Sequence, residues 1–187
     1  MRAVLSPLRL TILGTCLLVT PLPVQALESV KLTTPEFSVS KPLLETLKLR
    51  QSCKSFDAKP LPAQTLSCLM WAAFGINRPE SGKRTVATAV NCQDIDIYVV
   101  MAEGVYVYRA KEHSLIPVLN QDVRPLAATQ AYAQKAPINL VYISDYGKMD
   151  DRFGPKKAVY SAFHAGSISQ NVYLYCASAG LGAVVRD

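Results

Sequence analysis

Arg50 and Lys54 stand four residues apart with Ser52 between them, and together they could hold one phosphate group. Arginine grips an anion through a forked pair of N–H donors, lysine adds a point charge, and serine adds a single O–H. By spacing alone the same residues also describe a solvated helix end. A second segment runs Arg84-Thr85-Val86-Ala87-Thr88-Ala89-Val90-Asn91-Cys92-Gln93. Its small side chains would let a flat ring approach the backbone, and Asn91 and Gln93 each bring donors and an acceptor. Alone, such a segment is also a turn whose amides satisfy the local backbone. The third is Gly180-Leu181-Gly182-Ala183-Val184-Val185-Arg186-Asp187. A lone Gly-x-Gly stops a helix, and without a strand before it this is no dinucleotide fingerprint.

The elements around these segments follow from apolar spacing. Residues 42–51 open on Pro42 and carry Leu43, Leu44, Leu47 and Leu49 at near-helical spacing. Proline suits a first turn because its missing N–H would be unpaired there. Residues 62–74 are a second helix, with Leu66, Leu69, Met70, Ala73 and Phe74 on one face and Gly75 as its stop. Residues 76–94 read as an irregular loop, longer than ordinary connections, which itself points to a site. Residues 95–101 and 104–109 are strands joined as a hairpin across Glu103-Gly104. A helix is expected over 122–134, a buried strand over 138–144, a polar loop over 147–157 and a long helix over 158–179. Residues 27–41 read as an extended arm. This order is α+β, not a clean βαβ repetition.

In this order and spacing the three segments resemble the nitroreductase family, over nearly all of residues 42–187. Arg50, Ser52, Lys54 and Phe56 match its opening Arg-x-Ser-x-Arg/Lys-x-Phe/Tyr signature. Asn91 and Gln93 match its Pro-Ser-x-x-Asn-x-Gln loop, with Thr88 at the serine position and Ala87 at the proline position. Ile168-Ser169-Gln170-Asn171 through Gly182 is similar to its long central helix and Gly-Leu-Gly exit. Trp71 to Pro79 resembles the exported branch of that family. The resemblance implies a three-layer α+β fold, a central mixed sheet flanked by helices. It also implies a homodimer with FMN at the interface.

Carried over residue by residue, the resemblance assigns Arg50 and Ser52 to the FMN phosphate and ribityl chain. Lys54 falls near the N1/O2 edge, where its charge would stabilise reduced flavin. Gln51 stands where a basic residue is common. Thr88, Asn91 and Gln93 are further cofactor contacts, and Val185, Arg186 and Asp187 fall on the N5 side. No side-chain acid or base is implied, since the flavin carries the chemistry. The implied activity passes an electron pair from NADH or NADPH, or another donor, through flavin to a small acceptor such as a nitro compound or quinone. The alternative is an exported flavin- or partner-binding protein without turnover. Family members continue past the Gly-Leu-Gly exit with an arm that carries basic phosphate ligands. This chain stops at Asp187, so either the sequence is a fragment or the gene product is shortened.

Composition sets the remaining bounds. The chain has 187 residues, half of them hydrophobic and 18% charged, enough for one globular domain. Residues 1–26 read as a secretory signal: Arg2 and Arg9, an apolar run through Val19, then Val24-Gln25-Ala26. That run is too short to span a bilayer. The expected result is an exported, periplasmic domain over 27–187. Removing the signal takes two arginines and no acid, lowering the net charge from +6 to +4. That charge suits an anionic cofactor, and no basic stripe interleaved with aromatics suggests nucleic acid. Cys53, Cys68, Cys92 and Cys176 form no CxxC pair, so buried thiols are expected rather than zinc ligands. His113 reads as a surface residue and His164 as a packed or interfacial one. Tyr106, Tyr108, Tyr173 and Tyr175 read as core or interface aromatics.

Overall fold

The computed structural model describes residues 26–37 and 41–186. Apart from Ala26, the expected signal lies outside the described residues, as does Asp187. The chain runs β1 (Val30–Lys31), α1 (Leu43–Leu49), α2 (Ala63–Phe74), β2 (Ile76–Arg78), β3 (Lys83–Arg84) and β4 (Ile95–Val100). It continues with β5 (Val105–Arg109), β6 (Ser114–Leu119), α3 (Ala131–Gln134), β7 (Asn139–Ser144) and α4 (Lys157–Ser178). Five strands form the central sheet in the order β1-β6-β5-β4-β7, and β2-β3 pair separately. Every strand pair is antiparallel. The parallel contribution is a single bridge between Ser52 and Ala183.

Strand alternation builds the core. On β4, Ile95, Ile97 and Val99 are buried, while Asp96 between them is half-exposed and pairs with Lys148 at 2.7 Å. Val99 sits opposite Tyr106, so β5 adds Tyr106 and Tyr108 to the same face. Met70 and Phe74 of α2 and Ile168 of α4 pack into this face, each no more than 1% exposed. Each such side chain is worth about 1.5–3 kcal/mol of burial. Two polar bonds lock the helices together: Asn171 Nδ2 donates to the Ala72 carbonyl and the Tyr175 hydroxyl to the Thr65 carbonyl. The α+β class and central sheet are those expected. Among the described residues no helix is long and apolar enough to cross a membrane.

Three local expectations need correction. Over 122–134 the helix is confined to Ala131–Gln134. Asp122 accepts hydrogen bonds from both the amide and the guanidinium of Arg124, holding a turn where the helix would have begun. The loop over 76–94 contains the β2–β3 hairpin and a short helical turn at Ala89–Asn91. His113 is not a free surface group. Its Nε2 lies 2.8 Å from Ser67 Oγ and its Nδ1 2.9 Å from the Tyr108 hydroxyl. Burial pushes this imidazole below its usual range.

Candidate functional site

The first group gathers where α1 ends. Arg50 is its C-cap, donating its amide to the Thr46 carbonyl. The chain then turns extended and meets the exit of α4. Ser52 bridges Ala183, and the Cys53 amide donates to the Ala183 carbonyl at 2.9 Å. Gly182 permits that approach, because a Cβ there would lie 2.9 Å from Cys53 Cβ and Sγ. Gly182→Ala is therefore expected to cost about 1–3 kcal/mol through overpacking. Thermal unfolding checks it, and a variant melting with wild type would show that the approach is not tight.

Tyr173 of α4 binds this group together. Its hydroxyl lies 3.0 Å from Ser52 Oγ and accepts the Val185 amide at 2.8 Å. Its ring lies under the Arg50 guanidinium, 5.2 Å from ring centroid to Cζ, a cation–π arrangement. Arg186 points inward instead, donating to the Ala127 carbonyl and to Asn139 Oδ1. It ties the exit segment to β7. Gln51 is exposed. Lys54 lines a cavity of about 340 Å³ with Ser55, Phe56, Tyr132 and Lys135. Neither Arg50 nor Lys54 has a carboxylate partner among the described residues.

The second group is the loop after β3. Val90, Asn91 and Gln93 all have positive φ, at 46°, 59° and 48°. For non-glycine residues each such conformation costs of order 1–3 kcal/mol, so the surroundings must enforce it. Thr88 Oγ1 accepts the Gln93 amide. The Gln93 side chain donates to the Gly82 carbonyl and Asn91 Oδ1, and accepts from Arg84 Nε at 2.7 Å. Both of its N–H donors are thus used inside the chain. Asn91 is exposed, and its own side-chain amide nitrogen has no hydrogen-bond partner among the described residues.

Behind this loop lies a buried network. Asp94 is 0% exposed and His164 4%. Ala89 donates its amide to His164 Nε2 at 2.8 Å, which places the ring proton on Nδ1, and Nδ1 donates to Asp94 Oδ1 at 2.6 Å. Ser144 donates to the other carboxylate oxygen at 2.8 Å and the Cys92 thiol to Oδ1. Burial alone would push the Asp94 carboxyl up, but the hydrogen bonds from Ser144, His164 and Cys92 outweigh it and hold it below the usual range. Burial and Asp94 together push the Cys92 thiol up. The ligand-type atoms of Cys92, Asp94 and His164 lie within 4.8 Å of one another. Their mutual bonds, with those from Ala89 and Ser144, account for that closeness.

The expected residues therefore fall into two groups on one spine. Arg50, Ser52 and Val185 meet at Tyr173, whereas Thr88, Asn91 and Gln93 meet above His164. Both organisers project from α4, nine residues or about 13 Å apart along the helix. No hydrogen bond or ion pair among the described residues joins the two groups. Tyr173 and Asp94 escaped the sequence reading. Asp94 carried a usable signal, a carboxylate directly ahead of an apolar strand, but Tyr173 looked like any core aromatic.

The model of the nitroreductase family matches residues 47–187. A protein of Methanocaldococcus jannaschii named as a nitroreductase is 32% identical over 162 residues, 78% of this chain and 81% of its own. A solved structure from Ralstonia eutropha, also named as a nitroreductase, superposes with a TM-score of 0.80 at 40% identity, covering 85% of this chain and 76% of that one. A third, from Anabaena variabilis, shares the fold alone, with a TM-score of 0.62 at 18% identity over 73% of this chain and 30% of its own. With three quarters of its length matched by the family model and relatives at 32% and 40% identity, the chain belongs to the nitroreductase family.

Proposed function

We propose that the chain is an FMN-dependent oxidoreductase, exported to the periplasm behind a leader at residues 1–26. Family membership supports the oxidoreductase class. The observation that carries the FMN reading is the meeting of Arg50, Ser52 and the 183–185 exit at Tyr173. The Arg50 guanidinium, without a carboxylate partner among the described residues, and the Ser52 hydroxyl there fit a phosphate. When bound, FMN would supply hydride and electron chemistry, taken from NADH or NADPH and passed to a nitro compound or quinone. The chain's own residues bind and orient: Arg50 and Ser52 at the phosphate end, Lys54 at the ring edge. Lys54 would favour the reduced, negative ring electrostatically. Asn91 offers its free amide to the ring or ribityl chain.

The two residue groups stay separate within one chain, which suits a homodimer with the cofactor between subunits. Exposed leucines on α1, Leu43 and Leu44 above all, and Val159 and Phe163 on α4 provide apolar surface for that association. Free nicotinamide cofactors are scarce outside the cytoplasm, so the physiological donor is a further variable.

The test is flavin content. The mature protein is expected to be yellow, or to gain flavin absorbance when FMN is added, and to bleach anaerobically with NADH or NADPH. A colourless protein that takes up no FMN would overturn the reading. A yellow protein that fails to bleach with either nicotinamide would point to a binder or to a different donor.

A further inference from the structure

We infer that Tyr173 is a positioning residue that turns Ser52 into an outward-facing donor and so makes the chain selective for a phosphate monoester over the same ligand without it. This deepens the FMN reading and rests on it. The Tyr173 oxygen already accepts the Val185 amide at 2.8 Å. A phenol has one proton, and the acceptor the described residues offer it is Ser52 Oγ, 3.0 Å away. With its oxygen engaged by Val185, the Tyr173 hydroxyl is placed to donate to Ser52. The Ser52 proton is then left without an acceptor among the described residues, on a side chain that is exposed. The same aromatic ring carries the Arg50 guanidinium, which has no carboxylate partner among the described residues.

One side chain thus sets the direction of a hydroxyl proton and the resting place of a cation. Both are donors to the same anion. A structural role alone would make Tyr173 matter equally for every ligand of the site. The positioning role makes it matter more for the ligand that carries the phosphate, so FMN and riboflavin, which differ by that group, separate the two.

The experiment titrates the full mature protein with FMN and with riboflavin, following quenching of flavin fluorescence. Wild type is expected to prefer FMN. Tyr173→Phe should weaken FMN about tenfold more than it weakens riboflavin, the size of one hydrogen bond to a charged group. Ser52→Ala, which leaves the Tyr173–Val185 bond in place, should give the same loss of preference. The double variant should be no worse than Ser52→Ala, because the two act as one unit. An unchanged FMN-to-riboflavin ratio in Ser52→Ala or in folded Tyr173→Phe overturns the inference alone. Additive losses in the double variant overturn it also. Wild type that binds neither flavin overturns the FMN reading and this inference with it.

Discussion

Asp94→Ala is expected to cost about 3 kcal/mol or more of folding stability, because it strips three donors of their buried acceptor, at about 1–3 kcal/mol for each group left unsatisfied. The carboxylate is fully buried and receives His164, Ser144 and Cys92. Alanine would leave all three facing a void that none can reach across. The shape of the loss with pH follows from the same bonds. Those hydrogen bonds favour the ionised carboxyl, so its folded pKa lies below its unfolded value of about 3.9. The stabilisation is then fully present above about pH 4 and fades as pH falls through the folded pKa. Asp94→Asn should cost less than alanine and should flatten that acid limb relative to wild type. Urea midpoints from pH 3 to 7 check both. An Asp94→Ala variant with the wild-type midpoint would remove the network from any account of stability.

The second large effect is functional. Arg50→Ala combined with Lys54→Ala is expected to lower FMN affinity about a hundredfold or more, since each loses a charge-assisted bond worth about 1.5–3 kcal/mol, reduced at Lys54 by solvent. Flavin retained after desalting is the measurement. The fold should survive, because neither side chain has an ion pair among the described residues and neither is buried. Full retention of flavin in the double variant would place the phosphate elsewhere.

Much of the architecture was legible where local pattern and tertiary burial agree. The α2 helix is an example: Leu66, Leu69, Met70, Ala73 and Phe74 point one way, Pro62 caps one end and Gly75 the other. Strand β6 was not, because Pro117 argues against a strand. The proline is tolerated there because β1 pairs only with Ser114 and Leu115, leaving the edge beside Pro117 open. The helix expected at 122–134 lost to a side-chain turn at Asp122, a competition that periodicity does not see.

The candidate site divides the same way. Residue types at Arg50, Ser52 and Lys54 could be read as anion binders from the sequence. Which of their neighbours use up hydrogen bonds could not. The Val185 amide is taken by Tyr173, twelve residues away, and Arg84, nine residues away, holds the Gln93 carbonyl oxygen. Such pairings depend on how elements cross, and His113 was misjudged for that reason too. Its partner Ser67 lies 46 residues distant.

The left-handed run in the loop after β3 has a mechanical consequence. Val90 is branched at Cβ and sits in a conformation it resists. Its neighbour Ala89 is held from below by the imidazole of His164. The strained angles are therefore held from two sides, by the interior His164 bond and by the Thr88–Gln93 and Asn91–Gln93 bonds within the loop. Loss of the interior bond would remove one of those restraints at a residue next to Thr88. Solvent-facing geometry is here set from the interior, by a side chain on a helix that also positions the opposite end of the site.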